Sequence, residues 1–333
     1  MNTAESEDRP VRIERIGYFI PETTASVQEL SGPLGLSTNH VLLFTRYLGL
    51  KQIAVAGDLE LGDMLAAAGE DALGESDRDA VRFLIHTHTM QHVAPPSRHT
   101  LETVRTKLGL KNATVFGMSH VNCVAGLYAL DIARYLLHTA RPEDKVLILM
   151  GDKILSPRLR VIQETTILGE GTAGCLVGRD PRGDRVLGRA VNVVGRFYQC
   201  LGCSAELFAE YKKVYTEELG RVMLEAVKDA GCTPGQIAAV LPHNVNRLSW
   251  KRVCGGLGIP PERVYLENIP KFGHCYGADP FINLETARQS GRIGAGDRVL
   301  LTSAGLGAAF AASVVQLGTG TAAGRGERTE AVR

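Results

Sequence analysis

Residues 123–152, CVAGLYALDIARYLLHTARPEDKVLILMGD, and residues 275–305, CYGADPFINLETARQSGRIGAGDRVLLTSAG, run through the same series of features. Each passes through a helix-length segment and ends in a strand that opens Asp-basic-Val-Leu. An earlier strand ending in a histidine precedes each copy, FLIHT (83–87) with His86 and AVLPHN (239–244) with His243. Short apolar runs alternating with helix-length segments predict an α/β fold with buried strands. The echo predicts that this fold is duplicated. A pseudo-twofold axis between the copies would bring helix N-termini together, so that Cys123, His243 and His274 converge from distant parts of the chain. Strand ends of α/β sheets are where ligands commonly bind.

Composition limits the remaining choices. A chain of 333 residues with 44% hydrophobic content can bury a large core, as one big domain or two fused halves. A formal net charge of +1 supplies no basic field for nucleic acid. No apolar run approaches the length of a membrane span. The N-terminal stretch MNTAESEDRPVRIERIGYFIP lacks the basic and apolar regions of a secretory signal. Seven cysteines without framework spacing fit a reducing compartment, so a cytoplasmic protein is expected. Residues 1–10 and 318–333 are small, polar and aperiodic, and are expected to be disordered. The boundary between the copies is expected near residue 180, giving halves at 11–180 and 181–317.

The segment FGMSHVNCVAGLYAL (116–130) is similar to the nucleophile segment of β-ketoacyl-ACP synthase III enzymes of the thiolase superfamily, with Cys123 at the nucleophile's place. LPHNVN (241–246) resembles the family's Pro-His-Gln-Ala-Asn, GHCYGADP (273–280) stands where the family has Gly-Asn-Thr-Ser, and SAGLGAAFAASVVQL (303–317) resembles its glycine-rich final hairpin. ILGEGTAGCLVG (167–178) resembles the hairpin that closes the first half. The motifs fall in order over residues 10–317. The resemblance implies the thiolase fold, a duplicated five-layered αβαβα architecture, in a homodimer.

It also implies chemistry. Cys123 would attack an acyl thioester, activated by a helix N-terminus and a nearby imidazole. The backbone N–H groups of Cys123 and Leu306 would form the oxyanion hole; Leu306 replaces a glycine common in the family, but the contact is main-chain. His243 and His274 would complete the catalytic set. The family has asparagine where this chain has His274, and a Cys-His-His set resembles the elongating ketosynthases. Decarboxylative condensation with a malonyl-carrier is therefore expected by a narrow margin. Transfer of the acyl group to a hydroxyl or amine of a small molecule, with one histidine as general base, is the alternative. A silent acyl-binding partner subunit is the third reading, which the retained Cys, His and His disfavour. A papain-like hydrolase would lack the duplicated pattern.

The donor is read from a departure. Family members carry an N-terminal Trp and Arg that clamp the adenine of CoA, near an Arg-Thr-Gly-Ile stretch; here FTRYLGLKQIA (44–54) stands there, and the single tryptophan is Trp250. An acyl carrier protein therefore gains weight over acyl-CoA as donor, with Arg247, Lys251 and Arg252 as candidate docking residues and a solvated helix face as their plainer reading. These departures point to specialised metabolism rather than routine fatty-acid initiation. His86, His88, Asn246 and Trp250 are candidate pocket residues. In HTHTMQH (86–92), pocket lining is favoured over metal binding by His86, His88 and His92. The CLGC pair, Cys200 and Cys203, has no partner pair for zinc. GEGTAG (169–174) is expected as a tight hairpin, because no P-loop Lys-Ser/Thr follows. Neither a metal nor a cofactor is expected.

Overall fold

A computed structural model describes residues 10–90, 99–162, 164–198 and 204–320. The two echoing segments fold as one repeated unit. In the first half, β1 (Arg12–Phe19), β2 (Val81–Thr87), β3 (Thr114–Met118), β4 (Lys145–Met150) and β5 (Thr172–Gly178) lie in the order β1-β5-β4-β2-β3. In the second, β6 (Asp184–Val193), β7 (Ala239–Pro242), β8 (Arg298–Gly305) and β9 (Ala309–Gln316) lie in the order β6-β9-β8-β7. The strand directions repeat as well. β5 is antiparallel to β1 and β4, and β4 is parallel to β2; β9 is antiparallel to β6 and β8, and β8 is parallel to β7. The counterpart of β3 is reduced to one bridge between Val240 and Val264. The halves join where β1 pairs with β6, Arg12 opposite Arg185 and Ile13 opposite Asp184.

Five helices complete the layers that matter for the site. α1 (Leu61–Leu73) covers the outer face of β1, β5 and β4, and α3 (Ala205–Asp229) that of β6, β9 and β8. α2 (Ala125–His138) and α5 (Asp279–Gln289) lie between the two halves, each touching strands of both. α4 (Arg247–Gly256) packs beside α3. This is the five-layered thiolase arrangement.

The middle layer explains the composition of its helices. An ordinary surface helix is apolar on one stripe, whereas α5 buries Asp279, Pro280, Phe281, Ile282, Asn283, Leu284 and Ala287 around its whole circumference. Its two buried polar side chains therefore need partners inside the protein. The small residues after Cys123 allow the two middle helices to meet: a Cβ on Gly126 would stand 2.8 Å from the Gly277 carbonyl oxygen. Any side chain there would push the N-terminus of α2 away from that of α5.

Residues 169–171 form an irregular link into β5 without a turn, rather than the expected tight hairpin. The reason is Glu170, a buried carboxylate that pairs with Arg160 at 2.9 Å and accepts the N–H groups of Ala56 and Ile154. The turn of that region comes earlier, between the short paired strands Val161–Ile162 and Thr166–Ile167. At the C-terminal end, Gly318 N–H donates to Asp184 and Gly320 N–H to the Arg182 carbonyl. Residues 1–9 and 321–333 lie outside the described residues, as do His92, Cys200 and Cys203. Among the described residues, no helix is long and apolar enough to cross a membrane.

Candidate active site

Cys123 sits on a single 3₁₀ turn, Asn122–Val124, that leads into α2. The approach is tight: His120 and Asn122 both take left-handed backbone conformations, with φ of 73° and 50°. Asparagine tolerates that region better than most residues because its short polar side chain bonds locally. The Asn122 amide donates to the Leu306 carbonyl, and Ser303 Oγ donates to the Cys123 carbonyl at 2.7 Å. The nucleophile candidate from the first half is thus tied to β8 and its hairpin in the second.

His274 meets it from the other side. Its main chain runs beside the 167–169 segment, His274 N–H donating to the Ile167 carbonyl and Gly169 N–H to the His274 carbonyl. The ring is buried, with Nε2 3.2 Å from Cys123 Sγ and Nδ1 2.5 Å from Asp279 Oδ2. A buried carboxylate on Nδ1 fixes the ring's orientation and keeps a proton on that nitrogen, so that Nε2 is the atom that exchanges a proton with the thiol. Burial alone would lower the His274 pKa. The negative charge of Cys123 as thiolate and of Asp279, with hydrogen bonds to both, outweighs burial and raises it to about 10.

Asp279, the first residue of α5, is fully buried. Besides His274 it accepts Asn244 N–H at 2.6 Å, Asn244 Nδ2 at 3.1 Å and Cys275 N–H at 2.8 Å. Cys123, His274 and Asp279 form a linear hydrogen-bonded triad of nucleophile, imidazole and carboxylate.

His243 is next to the triad but outside its line. Its ring centroid lies 5.7 Å from that of His274. Its Nε2 is 3.1 Å from the Tyr215 hydroxyl on α3, and Nδ1 has no partner among the described residues. Burial, then the nearby His274, holds the His243 pKa well below its usual range, against the Thr302 backbone contact. Burial, then the Cys123 charge, raises that of Tyr215, so the phenol keeps its proton. A neutral imidazole and a protonated phenol share one hydrogen bond there.

A cavity of 610 Å³ opens onto Cys123, His243 and His274. One side is aliphatic, with Leu43, Leu48, Ile162 and Leu168. Phe208, Tyr211, Lys212, Tyr215 and Thr216, at helical spacing near the start of α3, also line the cavity.

The other candidates separate. Leu306 and Asn246 line this cavity. The Asn246 amide is held on both sides, its oxygen capping α4 at Ser249 N–H and its nitrogen donating to the Thr165 carbonyl. Trp250 does not line it: the indole is fully buried beneath His243 and donates to the His243 carbonyl at 2.9 Å. His86 and His88 do not line it either. His86 Nε2 lies 3.0 Å from the Gly151 carbonyl, and His88 Nδ1 2.6 Å from that of Met90. Arg252 stands at the cavity wall; Arg247 and Lys251 are exposed on the same helix. Among the described residues, no cluster of three or more His, Cys, Asp or Glu side chains has the arrangement of a metal site. Sequence reasoning missed Asp279, Asn244 and Tyr215, although the first two stand inside the very motifs that pointed to His274 and His243.

Comparison with known proteins agrees with this fold. Residues 227–317 match the family model of the 3-oxoacyl-[acyl-carrier-protein (ACP)] synthase III C-terminal region. The chain resembles the synthase III enzymes of the thiolase superfamily. A β-ketoacyl-[acyl-carrier-protein] synthase III 2 from Streptomyces coelicolor is 28% identical over 312 residues, covering 90% of this chain and 92% of the relative. The structure of the synthase III from Aquifex aeolicus superimposes with a TM-score of 0.79 at 22% identity, over 92% of this chain and 99% of that one. That of the acyltransferase ChlB3 does so with a TM-score of 0.81, also at 22% identity, over 93% and 98%. At such identities the superpositions establish the fold. The synthase III relatives support a transferase, and the reaction must be argued from this chain's own side chains.

Proposed function

We propose that this synthase III-like chain moves an acyl group from a carrier-bound thioester, through Cys123, to the hydroxyl or amine of a small molecule. The observation that carries the reading is His274 held between Cys123 Sγ and Asp279. In the first step Cys123 Sγ, its proton already held on His274 Nε2, attacks the thioester carbonyl, and the carrier thiol leaves with that proton. In the second, Nε2 takes the proton of the acceptor O–H or N–H as that atom attacks the acyl carbon, and Cys123 leaves as a thiolate beside the imidazolium. The N–H groups of Cys123 and Leu306 are assigned to the oxyanion in both steps, a role in which loss of one donor costs about 3 to 4 kcal/mol in other acyl-transfer enzymes.

Condensation would require an imidazole to donate a proton to the oxygen of a malonyl enolate. We assign the proton of the Tyr215–His243 contact to the Tyr215 phenol, which makes His243 Nε2 an acceptor, and after acylation the remaining His274 proton, on Nδ1, belongs to Asp279. The competing reading rests on the two imidazoles that face one cavity, centroids 5.7 Å apart. The names of the synthase III relatives support involvement of an acyl carrier protein, the loss of the CoA-clamp residues favours it as donor, and the family resemblance supports a homodimer. The deciding experiment is intact-protein mass spectrometry of wild type and Cys123→Ala after exposure to acyl-carrier and acyl-CoA donors. Acylation confined to wild type, discharged by hydroxyl or amine acceptors but not by malonyl-carrier, is expected. Discharge by malonyl-carrier with release of CO₂ would establish condensation instead.

A further inference from the structure

We infer that Asn244 and Asn283, with Asn268 behind them, are positioning residues whose buried carboxamides form a directed chain that holds the Asp279 carboxylate against His274. The inference rests on the Cys123–His274–Asp279 reading given above. Asn268 Nδ2 donates to Asn283 Oδ1 at 2.8 Å, Asn283 Nδ2 to Asn244 Oδ1 at 2.9 Å, and Asn244 Nδ2 to Asp279 Oδ1 at 3.1 Å. Asn268, Asn283 and Asn244 are each no more than 1% exposed.

The direction of the chain is forced rather than chosen. A carbonyl can only accept, so the 2.6 Å contact with the Pro242 carbonyl fixes the Asn283 nitrogen on the side facing Asn244. A carboxylate also only accepts, so Asn244 must turn its nitrogen to Asp279 and its oxygen to Asn283. Asn268 is then left to donate, which it does to Thr286 Oγ1 as well. No amide in the series can flip without setting two acceptors face to face. Three buried polar side chains, where leucine could fill the space, lead in series to the one carboxylate that touches the catalytic imidazole.

The groups facing His274 come from every neighbouring element: Cys123 ahead of α2, Asp279 on α5, His243 after β7, Asp152 after β4, and Tyr276 beside it. Of these, Asp279 is the one whose orientation the amides control. Without Asn244 Nδ2 it keeps the main-chain donors Asn244 N–H and Cys275 N–H but loses the contact that pins Oδ1 from the side.

The test uses the full chain and the variants Asn244→Ala, Asn283→Ala and Asn268→Ala, with Asp279→Asn beside them. The readouts are the His274 titration by histidine NMR, the rate and half-saturation of Cys123 acylation by an acyl-N-acetylcysteamine thioester, and thermal stability. The expected result is a His274 midpoint lowered by about half to one pH unit, a roughly threefold to tenfold change in the ratio of charged to neutral imidazole. The maximal acylation rate should fall with half-saturation unchanged, and the effect should weaken from Asn244 to Asn268, so that the milder variants answer if the nearest does not fold. Variants that only melt earlier, with the midpoint and rate of wild type, would overturn the inference while a shifted Asp279→Asn leaves the triad standing. An Asp279→Asn variant with an unmoved midpoint and rate would remove the triad reading itself, and the inference with it.

Discussion

His274 and Asp279 face each other across a single 3₁₀ turn, Tyr276–Ala278, with Nδ1 and Oδ2 2.5 Å apart and neither side chain more than 2% exposed. A carboxylate so placed keeps a proton on Nδ1 and leaves Nε2 to exchange a proton with the thiol. Asp279→Asn keeps the shape and can donate to Nδ1, which turns the proton to the wrong nitrogen. The expected loss in the acyl-transfer rate is on the order of 10⁴, as for the same exchange in a serine-protease triad. Single-turnover discharge of the acyl-enzyme measures it, and a loss under threefold would show that the carboxylate is not part of the machinery.

The same pair sets an alkaline limit on stability. The His274 pKa is raised from 6.5 to about 10, burial being outweighed by Cys123 and Asp279. A folded pKa above the unfolded one means that the folded state holds the proton more tightly. The contribution is full below the unfolded value and is lost as pH rises through the folded value. Urea unfolding from pH 6 to 10.5 should show wild-type stability falling across that window and a His274→Gln variant with a flatter profile. Parallel profiles would argue against a charged His274 in the folded state.

His86 predicts an acid limit. Burial, with a smaller contribution from His88, lowers its pKa from 6.5 to about 4 against the Gly151 carbonyl contact. Here the unfolded chain takes up the proton first, so the contribution is present above about 6.5 and is lost as pH falls through about 4. Asp152, pushed up from 3.8 to about 6 mainly by burial, works in the opposite sense over part of that range. The comparison is therefore between wild type and His86→Gln, whose stability difference should shrink between pH 6.5 and pH 4. A difference constant with pH would place the effect in packing alone.

Much of the site was legible because duplication is a long-range signal. Two copies of one strand and helix pattern place Cys123 and His274 at equivalent helix starts, where the middle layer brings them together. Asp279 was not legible, although it stands five residues after His274, because an intervening 3₁₀ turn rather than a regular helix carries its carboxylate back to the imidazole. Trp250 misled for a related reason. Being the single tryptophan made it conspicuous, but its place on α4 directs the indole into the core under His243. GEGTAG reads as a turn by composition, and the buried partners of Glu170 hold it in a link without one.

Charge at the cavity mouth predicts how the donor is recognised. Arg252 lines the cavity, and Arg247 and Lys251 are exposed on the same helix, while Lys212, which also lines the cavity, is paired with Glu164 at 2.9 Å. An acidic carrier would meet the α4 residues before its thioester enters. Arg252→Glu with Lys251→Glu should raise KM for an acyl-carrier donor at least about tenfold at low salt, the effect fading as salt screens it. KM for an acyl-N-acetylcysteamine thioester should stay the same. Equal losses with both donors would place these residues in pocket structure rather than docking.

Tyr215 offers the sharpest separation between acyl transfer and condensation. Its hydroxyl lies 3.1 Å from His243 Nε2, and both groups face the cavity beside Cys123. While the phenol donates, Nε2 has no proton for an enolate oxygen. Tyr215→Phe removes the hydroxyl and leaves the ring, whose edge contacts with His243 and Phe310 hold its place. His243 Nε2 is then free to carry the proton and to donate. Release of CO₂ from a malonyl-carrier should rise from background in wild type to a measurable rate in the variant, while acylation of Cys123 changes less than about threefold, since His274 rather than His243 serves the thiol. Malonyl decarboxylation that is rapid in wild type and unchanged or slower in Tyr215→Phe would mean that the phenol assists the enolate, and the chain would be a condensing enzyme.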